Sequence, residues 1–313
     1  MTHRQTLADR PTATDRFTLG EVEVIRVREW QGTFDQAAGL VPDADPALWR
    51  AHAADLAPDH WDPERDLAVL ALQTWVLRSA GRTVVVDPGV GAGRERPDSP
   101  AFHHREGDLL AALAGAGVRA EDVDVVVNTH LHGDHVGWNT RAENGAWAPS
   151  FPHARYLIPA ADEAFFGPAG GYAGGRRVED RLIHEDSVAP VLRDGLVDLW
   201  EEELRIDEHL TLEPAPGHTP GSAVLRLESG GERAVFVGDL VHSPVQILAP
   251  EHNSCFCQDP AQAAATRRRV LARAADRREL LLPAHFAGAS ALEVRATSHS
   301  GFTLGPWAPL TRT

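Results

Sequence analysis

Short runs of apolar residues separated by polar turns predict a chain built largely of strands. The runs "LAVLALQTWVLRS" and "RTVVVDPG" predict two strands joined at Ala80 and Gly81. In "DVDVVVNTH" the valines leave little polar surface on either face, which predicts a buried strand. The segment "GDLLAALAGAGV" spaces its leucines along one face, which predicts a short helix.

The second half of the chain repeats this alternation of strands and polar turns. Four further strands are predicted in "HLTLEPAPGHT", "GSAVLRLESG", "RAVFVGDLVH" and "ELLLPAHF". Between the last two, "DPAQAAATRRRVLARAADRR" predicts a long exposed helix that Asp259 caps and Pro260 begins. Two strand-rich halves flanked by helices predict an α/β (α+β) fold with four layers, an αββα sandwich.

The first 65 residues follow a different pattern. Residues 1–16 are polar, which predicts a loose N-terminal arm. Residues 17–30 alternate apolar and polar positions and predict one half-exposed strand. Residues 33–65 contain "DADPALWRAHAADLAP", a predicted helix with Asp45 as its cap, and are interpreted as a lid-like helical insertion. Residues 17–313 are then expected to form a single domain.

Composition narrows the classes of partner. The formal net charge is −15, and no cluster of Lys and Arg is dense enough to follow a phosphate backbone, so we do not expect nucleic acid as a partner. No apolar run approaches the length of a membrane span or a signal peptide, so we expect a cytoplasmic protein without a membrane contact. Cys255 and Cys257 are interpreted as reduced thiols. The glycine-rich stretch 167–177 is interpreted as a mobile surface loop rather than a phosphate cradle.

The densest group of titratable side chains lies in "NTHLHGDHVGWNT", directly after the predicted buried strand. His130 and His132 alternate on one side of an extended segment, and Gly133 allows a turn that brings Asp134 and His135 back. Imidazole and carboxylate groups are typical ligands of Zn²⁺ and similar ions. The pattern predicts one metal on the first two histidines and a second metal on Asp134 and His135.

Three residues at later strand ends would complete these two sites. His218 in "APGHTPG" would join the first pair and His285 in "LLPAHFAG" the second, while Asp239 in "FVGDLVH" would give one oxygen to each metal. We expect two divalent ions, zinc by default, with Mn, Co or Fe compatible with the same ligands. A water shared by two such ions ionises near neutral pH and becomes a hydroxide nucleophile.

Ten histidines outside these motifs are interpreted as ordinary hydrogen-bonded residues. They are His3, His52, His60, His103, His104, His153, His184, His209, His252 and His299.

With these motifs in order, the sequence resembles the metallo-β-lactamase superfamily from about Leu67 to about Ala287. The resemblance rests on Asp87 in "VVVDPG", on "HLHGDH", and on the three later ligands. It implies an αββα sandwich with the metals at one edge of the two sheets. It also implies that Asp87 supports a metal ligand.

Within this superfamily the sequence most resembles the branch of N-acyl-homoserine lactonases and methyl parathion hydrolase. Asp239 argues against β-lactam hydrolysis, no C-terminal domain of the glyoxalase II type follows, and the acidic chain fits the ribonuclease members poorly. Known lactonases place a tyrosine three residues after the bridging aspartate, where this chain has His242. Two interpretations of His242 stay open: a polar group that contacts substrate, or a residue that packs beside Asp239.

The resemblance implies a dinuclear hydrolase of a lactone or related carboxylic ester. Asp134 and His242 are the predicted catalytic residues, because either would protonate the leaving group. Trp138 and Phe286 are the predicted substrate-contacting wall, although core packing is the alternative for aromatic residues of this kind. The expected partner is a small ester or lactone, and a homodimer is compatible because members of this branch are often dimers.

Three other functions remain open on the sequence. The first is phosphotriesterase or aryl esterase activity of the methyl parathion hydrolase type. The second is a non-catalytic metal-binding module that keeps the fold. The third is iron-dependent redox chemistry, although no flavodoxin-like domain is attached.

Overall fold

Two β-sheets lie face to face across an apolar layer in the computed structural model, which describes residues 13–172, 178–298, 301–309 and 311–312. The first sheet runs in the order β10-β9-β6-β5-β4-β2-β1-β18, with β3 paired to β4, and the second runs β11-β12-β13-β14-β15-β16-β17. A small separate sheet pairs β7 with β8. The strands among the described residues are β1 (Ala13–Leu19), β2 (Val22–Gln36), β3 (Trp61–Asp62), β4 (Leu67–Ser79), β5 (Arg82–Val86), β6 (Val125–Val127), β7 (Thr140–Glu143), β8 (Ala146–Pro149), β9 (Arg155–Pro159), β10 (Val197–Trp200), β11 (Leu204–Arg205), β12 (Leu210–Pro214), β13 (Ala223–Ser229), β14 (Glu232–Gly238), β15 (Leu280–Pro283), β16 (Leu292–Ala296), β17 (Phe302–Trp307) and β18 (Thr311–Arg312).

Helices cover the outer faces of both sheets. The α-helices among the described residues are α1 (Ala37–Leu40), α2 (Pro46–Ala51), α3 (Ala53–Leu56), α4 (Leu109–Gly115), α5 (Gly133–Val136), α6 (Ala160–Phe166), α7 (Val178–Ile183), α8 (Ala189–Arg193), α9 (Val245–Leu248) and α10 (Pro260–Arg277). Short 3₁₀ turns cover Ala120–Asp122, Gly137–Asn139 and Pro168–Gly170, and a π-helical turn covers His184–Val188. No helix in the described ranges is both long enough and apolar enough to cross a membrane.

Three apolar clusters explain the layers. Between the sheets, side chains such as Trp75 of β4 pack against Phe236 of β14. On the outer face of the first sheet, α4 buries Leu109 and Leu113 against the strands. On the outer face of the second sheet, α10 buries one side through residues such as Val270. The predicted αββα sandwich is therefore confirmed, and α10 is half buried rather than freely exposed.

The N-terminal region differs from its prediction. The single half-exposed strand expected over 17–30 is wrong, because the chain turns at Gly20 and forms the antiparallel hairpin β1–β2. Gly20 has φ +58°, and a Cβ there would lie 2.3 Å from the Ser229 carbonyl oxygen, so only glycine fits this turn. β2 is largely buried on both faces because one side meets the sheet interface and the other meets the outer helices.

The loose arm predicted over residues 1–16 is wrong for its last four residues, because β1 begins at Ala13. Hydrogen bonding to β2 orders this stretch, with Thr14 opposite Val27. The rest of the predicted arm, residues 1–12, lies outside the described residues, as do part of the glycine-rich stretch 167–177 and His299.

The helical insertion was predicted over residues 33–65, but β2 continues to Gln36, so the first four of these residues are strand and the helices begin at Ala37. Asp45 accepts a hydrogen bond from the Ala47 backbone N–H and caps α2, with Pro46 as its first residue, as the sequence indicates. The helix ends at Ala51, and the separate short helix α3 follows His52. This region is tied to the far half of the chain by a hydrogen bond from the Cys255 backbone N–H to the Leu40 carbonyl oxygen.

Candidate metal centre

The predicted ligands come together at one edge of the two sheets. β5 and β6 are parallel, so the turn after β5 that carries Asp87 lies beside the turn after β6 that carries His130. In the second sheet β12, β14 and β15 run in one direction, and they lead into His218, Asp239 and His285. Carboxyl ends of strands with a common direction meet at one sheet edge, which explains why residues far apart in sequence converge.

The first group of candidate ligands consists of His130, His132, His218 and one oxygen of Asp239. His132 Nδ1 lies 3.1 Å from His130 Nε2 and 3.0 Å from His218 Nε2. Asp239 Oδ2 lies 3.5 Å from His130 Nε2 and 3.2 Å from His218 Nε2. Each of the four residues offers a donor atom, and all four atoms lie within 4.8 Å of one another.

The second group consists of Asp134, His135, His285 and the other oxygen of Asp239. Asp239 Oδ1 lies 2.9 Å from His285 Nε2 and 3.2 Å from His135 Nε2. Asp134 Oδ2 lies 3.5 Å from His285 Nε2 and 3.8 Å from His135 Nε2. Asp239 therefore turns one oxygen toward each group, as a bridging ligand would.

The side chains of these two groups have the chemistry needed to bind two divalent ions. In the first group, one ring nitrogen from each of three imidazoles lies close to the others. Hydrogen bonds among these three nitrogens cannot satisfy all of them. In the second group, His135 Nε2 and Asp239 Oδ1 are buried and lie 3.2 Å apart, yet among the described residues neither atom is in good hydrogen-bond geometry with a partner. Buried polar atoms without well-oriented partners are rare in proteins and indicate a place for a bound ion or water. The donor set of imidazoles and carboxylates is the set that zinc and related ions prefer.

Burial and neighbouring charges lower the pKa values of some candidate ligands and raise those of others. Burial, with the neighbouring histidines, holds the pKa values of His130 and His132 well below the usual range. For His135 the cost of burial is outweighed by the carboxylates of Asp239 and Asp134, which raise its pKa well above the usual range. Burial would raise the pKa of Asp239, but the surrounding imidazoles hold it well below its ordinary value. Metal ions would therefore have to displace protons from this centre.

Asp87 holds the turn that carries the first ligands. Its Oδ1 accepts a hydrogen bond from the Thr129 backbone N–H at 2.7 Å, and its Oδ2 accepts one from Thr129 Oγ1 at 2.7 Å. Asp87 Oδ2 also lies 3.0 Å from His135 Nδ1, which leaves His135 Nε2 directed at the centre. This contact is the one that supports a metal ligand in the way the resemblance implies.

Asp162, at the start of α6, was not predicted from the sequence but connects two ligand-bearing turns. Its carboxylate accepts hydrogen bonds from the Leu131 N–H at 3.0 Å, the Thr219 hydroxyl at 2.9 Å and the Gly221 N–H at 2.6 Å. Burial raises its pKa to about 6, although these hydrogen bonds favour the ionised form. An acidic residue in the first turn of a helix normally lies in solvent, so the sequence carried no signal for this role.

His242 reaches the centre from the cavity. Its Nε2 lies 3.1 Å from Asp239 Oδ2, and its ring stacks on His285 with centroids 5.2 Å apart. Burial lowers the pKa of His242 to about 4, with partial compensation from Asp239, so the imidazole is neutral near pH 7. Both interpretations of His242 are compatible with this position, since it contacts Asp239 and also faces the cavity.

A cavity of about 880 Å³ opens above the centre. Its floor includes the ligand side chains of His132, Asp134, Asp239 and His285. Its wall is lined by the apolar residues Trp30, Phe34, Leu70, Leu72, Phe102, Phe166, Ile183 and Phe256. Four carboxylates also line it, those of Asp35, Asp98, Glu179 and Asp180.

The two predicted wall residues lie elsewhere. Trp138 packs into the cluster on the outer face of the first sheet and donates its indole N–H to Glu29 Oε1 at 3.2 Å. The 3₁₀ turn that begins at Gly137 directs it there, so closeness in sequence to His135 was misleading. Phe286 is fully buried against the rings of His60 and Trp307.

The true wall comes from segments that the motif does not reach. Phe166, at the end of α6, lines the cavity, with its ring 5.6 Å from that of His132. Phe34 and Phe256 come from opposite ends of the chain and pack edge to face, 6.2 Å apart. The sequence carried no signal for this pairing, which depends on how the insertion folds over the second half.

Cys255 is exposed and Cys257 is half buried. Cys257 lies closer to the centre than the sequence indicated, with its Sγ 3.9 Å from His218 Nδ1. A separate exposed trio, Glu95, His103 and His104, also has metal-ligand chemistry. We assign no metal to it, because His103 Nδ1 already accepts a hydrogen bond from the Arg96 backbone N–H at 2.9 Å.

Solved structures share this fold over nearly the whole chain. AidC, described as a dizinc quorum-quenching lactonase in complex with a product, aligns with a TM-score of 0.78 at 21% identity and covers 96% of this chain and 99% of that chain. The hydrolase AbOPH, of the beta lactamase superfamily, gives 0.78 at 20% identity, with 96% and 99% covered. A probable metal-dependent hydrolase from Staphylococcus aureus gives 0.73 at 17% identity, with 94% and 100% covered. At these identities the likeness shows the fold alone.

No curated protein matches the chain. The family model of the metallo-beta-lactamase superfamily matches residues 69–285. This range contains all seven predicted ligands and ends at His285. The chain therefore belongs to the metallo-beta-lactamase superfamily and shares its hydrolase fold.

Proposed function

We propose that this protein is a dinuclear metal-dependent hydrolase that opens a lactone or cleaves a related carboxylic ester. The observation that carries the proposal is the position of Asp239, whose two oxygens face two separate ligand groups at the floor of one cavity. Bound divalent ions would supply an ionised water as nucleophile and would polarise the scissile carbonyl. The protein's own residues would supply orientation, proton transfer and exclusion of water.

Asp134 and His242 are suited to proton transfer. Asp134 lines the cavity, and its side chain keeps 17% of its surface exposed, so a substrate atom can approach it. His242 is buried and neutral, with Nε2 directed at Asp239, and a neutral imidazole can donate or accept one proton. We propose that Asp134 takes up the proton that the attacking nucleophile loses and returns it to the leaving alkoxide, while the neutral His242 donates a hydrogen bond to that oxygen.

The cavity wall favours a neutral substrate with an apolar portion. Aromatic and aliphatic side chains form much of the wall, and Phe34 and Asp35, near the end of β2, contribute to it. Among the lining residues that the structure describes, Arg96 carries the guanidinium, and it is paired with Asp186 at 2.7 Å. Away from the metal ligands, the carboxylates of Asp35, Asp98, Glu179 and Asp180 favour an uncharged substrate portion beside them. An uncharged lactone or ester with an acyl chain fits this chemistry, and AidC offers a parallel in its description as a lactonase.

A second candidate is hydrolysis of phosphotriesters or aryl esters. His242 favours this candidate, because N-acyl-homoserine lactonases carry a tyrosine at the corresponding position, three residues after the bridging aspartate. The same centre would then act on phosphorus or on an activated ester, and the neutral character of these substrates suits the cavity equally well.

The test is turnover of a substrate panel by purified protein of measured metal content. The panel contains short and long N-acyl-homoserine lactones, simple γ- and δ-lactones, an aryl ester and an aryl phosphotriester, with proton release as the readout. We expect lactones to be turned over faster than the other two classes. Faster turnover of the phosphotriester or aryl ester would support the second candidate, and a protein with two metals that turns over none would indicate a non-catalytic metal-binding module.

A further inference from the structure

The loop that carries His285 is held by residues of the other sheet. This loop, residues 283–290 and here called the His285 loop, follows β15 of the second sheet. Gln73 of β4 donates from Nε2 to the Pro283 carbonyl oxygen at 2.8 Å and to Ser290 Oγ at 2.6 Å. Both ends of the loop are therefore fastened to one side chain of the first sheet.

Arg26 of β2 fastens the middle of the same loop. Its guanidinium donates to the Gly288 carbonyl oxygen at 2.7 Å and to the Phe286 carbonyl oxygen at 3.3 Å. Its Nε donates to Gln73 Oε1 at 2.5 Å, and its NH1 donates to Asp15 Oδ2 at 3.2 Å. Arg26 is fully buried and Gln73 is 5% exposed, so neither has water as an alternative partner.

The imidazole of His285 is oriented by the same strand. His285 Nδ1 lies 2.9 Å from the Ala71 carbonyl oxygen of β4, two residues before Gln73. A hydrogen bond at Nδ1 leaves Nε2 free to face Asp239 and Asp134, as observed. β4 thus fixes the ring, while Gln73 and Arg26 fix the backbone on both sides of it.

We infer that Arg26 and Gln73 are positioning residues for His285 and set the affinity of the metal group formed by Asp134, His135 and His285. The inference rests on the proposed two-metal centre. Removing the Gln73 amide leaves the Pro283 carbonyl and the Ser290 hydroxyl without this donor inside the protein, and a loop in that condition shifts to recover partners. The group formed by His130, His132 and His218 does not use this loop, so the effect is confined to one half of the centre.

The experiment compares Gln73→Met with the matched variant Gln31→Met. Methionine keeps the length of glutamine and removes its amide. Gln31 is also buried, and its Oε1 accepts a hydrogen bond from Arg28 NH1 at 2.8 Å within β2. Metal-free protein is titrated with Zn²⁺ against a chromophoric chelator, which reports the affinity of each equivalent.

We expect Gln73→Met to weaken one of the two zinc equivalents by about tenfold to hundredfold and to leave the other unchanged. Gln31→Met should retain both affinities. His285→Ala, which removes the ligand itself, identifies the equivalent concerned. If Gln73→Met fails to fold, Arg26→Lys replaces it, because lysine keeps the charge beside Asp15 but cannot bond both loop carbonyls and Gln73 together.

The inference would be overturned by wild-type affinity at both equivalents in Gln73→Met, by equal weakening of both, or by the same loss in Gln31→Met. A wild-type protein that binds only one equivalent gives a different result. It would overturn the two-metal proposal itself, and the inference with it.

Discussion

The ionisation state of Asp239 depends strongly on its neighbours. Five imidazoles, those of His130, His135, His218, His242 and His285, lie within 3.5 Å of its two oxygens. A carboxylate buried to this depth would ordinarily take up a proton, but the surrounding histidines keep its pKa well below the usual range. Asp239 therefore stays ionised and available to bind a cation with both oxygens.

His242 gives the sharpest test at the scale of a single residue. Replacing it with alanine removes the neutral imidazole that faces both the cavity and Asp239. We expect His242→Ala to lower kcat by about a hundredfold, within the range of lost acid–base catalysis, while two metals remain bound. Steady-state kinetics and metal analysis on the same preparation measure both quantities.

The matched control for this variant is His209→Ala, since His209 lies at the start of β12 and outside the cavity lining. Its kcat should equal that of the wild type. An unchanged kcat in His242→Ala would assign His242 to packing alone, and loss of a metal would make it a ligand.

At the scale of elements, the short helix α6 carries a residue that orients two of the ligand-bearing turns. α6 follows β9 and places Asp162 where it bonds the turn of His130 and His132 and also the turn of His218. Gly221 permits this approach, because a Cβ there would lie 2.6 Å from the Asp162 backbone nitrogen. The first ligand group therefore depends on one buried carboxylate between two sheets.

Asp162→Asn should disturb that group selectively. The amide cannot accept on both sides, and one of its N–H groups would face a donor. We expect the free energy of unfolding to fall by about 1–3 kcal/mol. We also expect the zinc equivalent bound by His130, His132 and His218 to weaken by about tenfold to hundredfold. Urea unfolding and the chelator titration measure the two effects.

Asp198→Asn is the control, because Asp198 is exposed and paired with Arg155 at the surface. It should leave both zinc affinities intact. Asp162 and Gln73 are assigned to different ligand groups. If Asp162→Asn and Gln73→Met weaken the same zinc equivalent, that assignment is contradicted.

At the scale of the whole molecule, the centre joins the two sheets. Its ligands come from turns after β6 in the first sheet and after β12, β14 and β15 in the second. An ion that binds only the folded arrangement stabilises it in proportion to its affinity. The metal centre and the sandwich should therefore be thermodynamically coupled.

Removing the metals with a chelator should lower the free energy of unfolding. With free zinc at about a thousand times its Kd, each bound ion contributes about 4 kcal/mol, which corresponds to a fall in Tm of several degrees on removal. Thermal scans with and without chelator measure the shift. His285→Ala should show a smaller shift than the wild type, and an unchanged Tm in the wild type would show that metal binding and folding are independent.

Local sequence was sufficient wherever neighbouring residues decide the structure. The strands β4, β5, β12, β13, β14 and β15, the cap at Asp45 and the helix after Asp259 follow from periodicity and capping chemistry. The hairpin β1–β2 was missed, because Gly20 sits inside an alternating pattern that hides the turn. The seven predicted ligands could be proposed from the sequence because each lies in a short motif after a strand, and the structure brings all seven together.

Contacts between distant segments could only be found in the tertiary structure. Trp138 lies three residues from His135 yet faces the outer core, while Phe34 and Phe256 meet in the cavity wall from opposite ends of the chain. Asp162, Arg26 and Gln73 have no motif, since their roles depend on which carbonyls and N–H groups the other sheet presents. The sequence by itself determined the elements and the donor chemistry of the centre, because both are encoded within a few residues. Only the tertiary structure decided the cavity wall and the buried hydrogen bonds of Asp162, Arg26 and Gln73. Packing and hydrogen bonding between the sheets depend on residues that are far apart in sequence, which local patterns cannot relate.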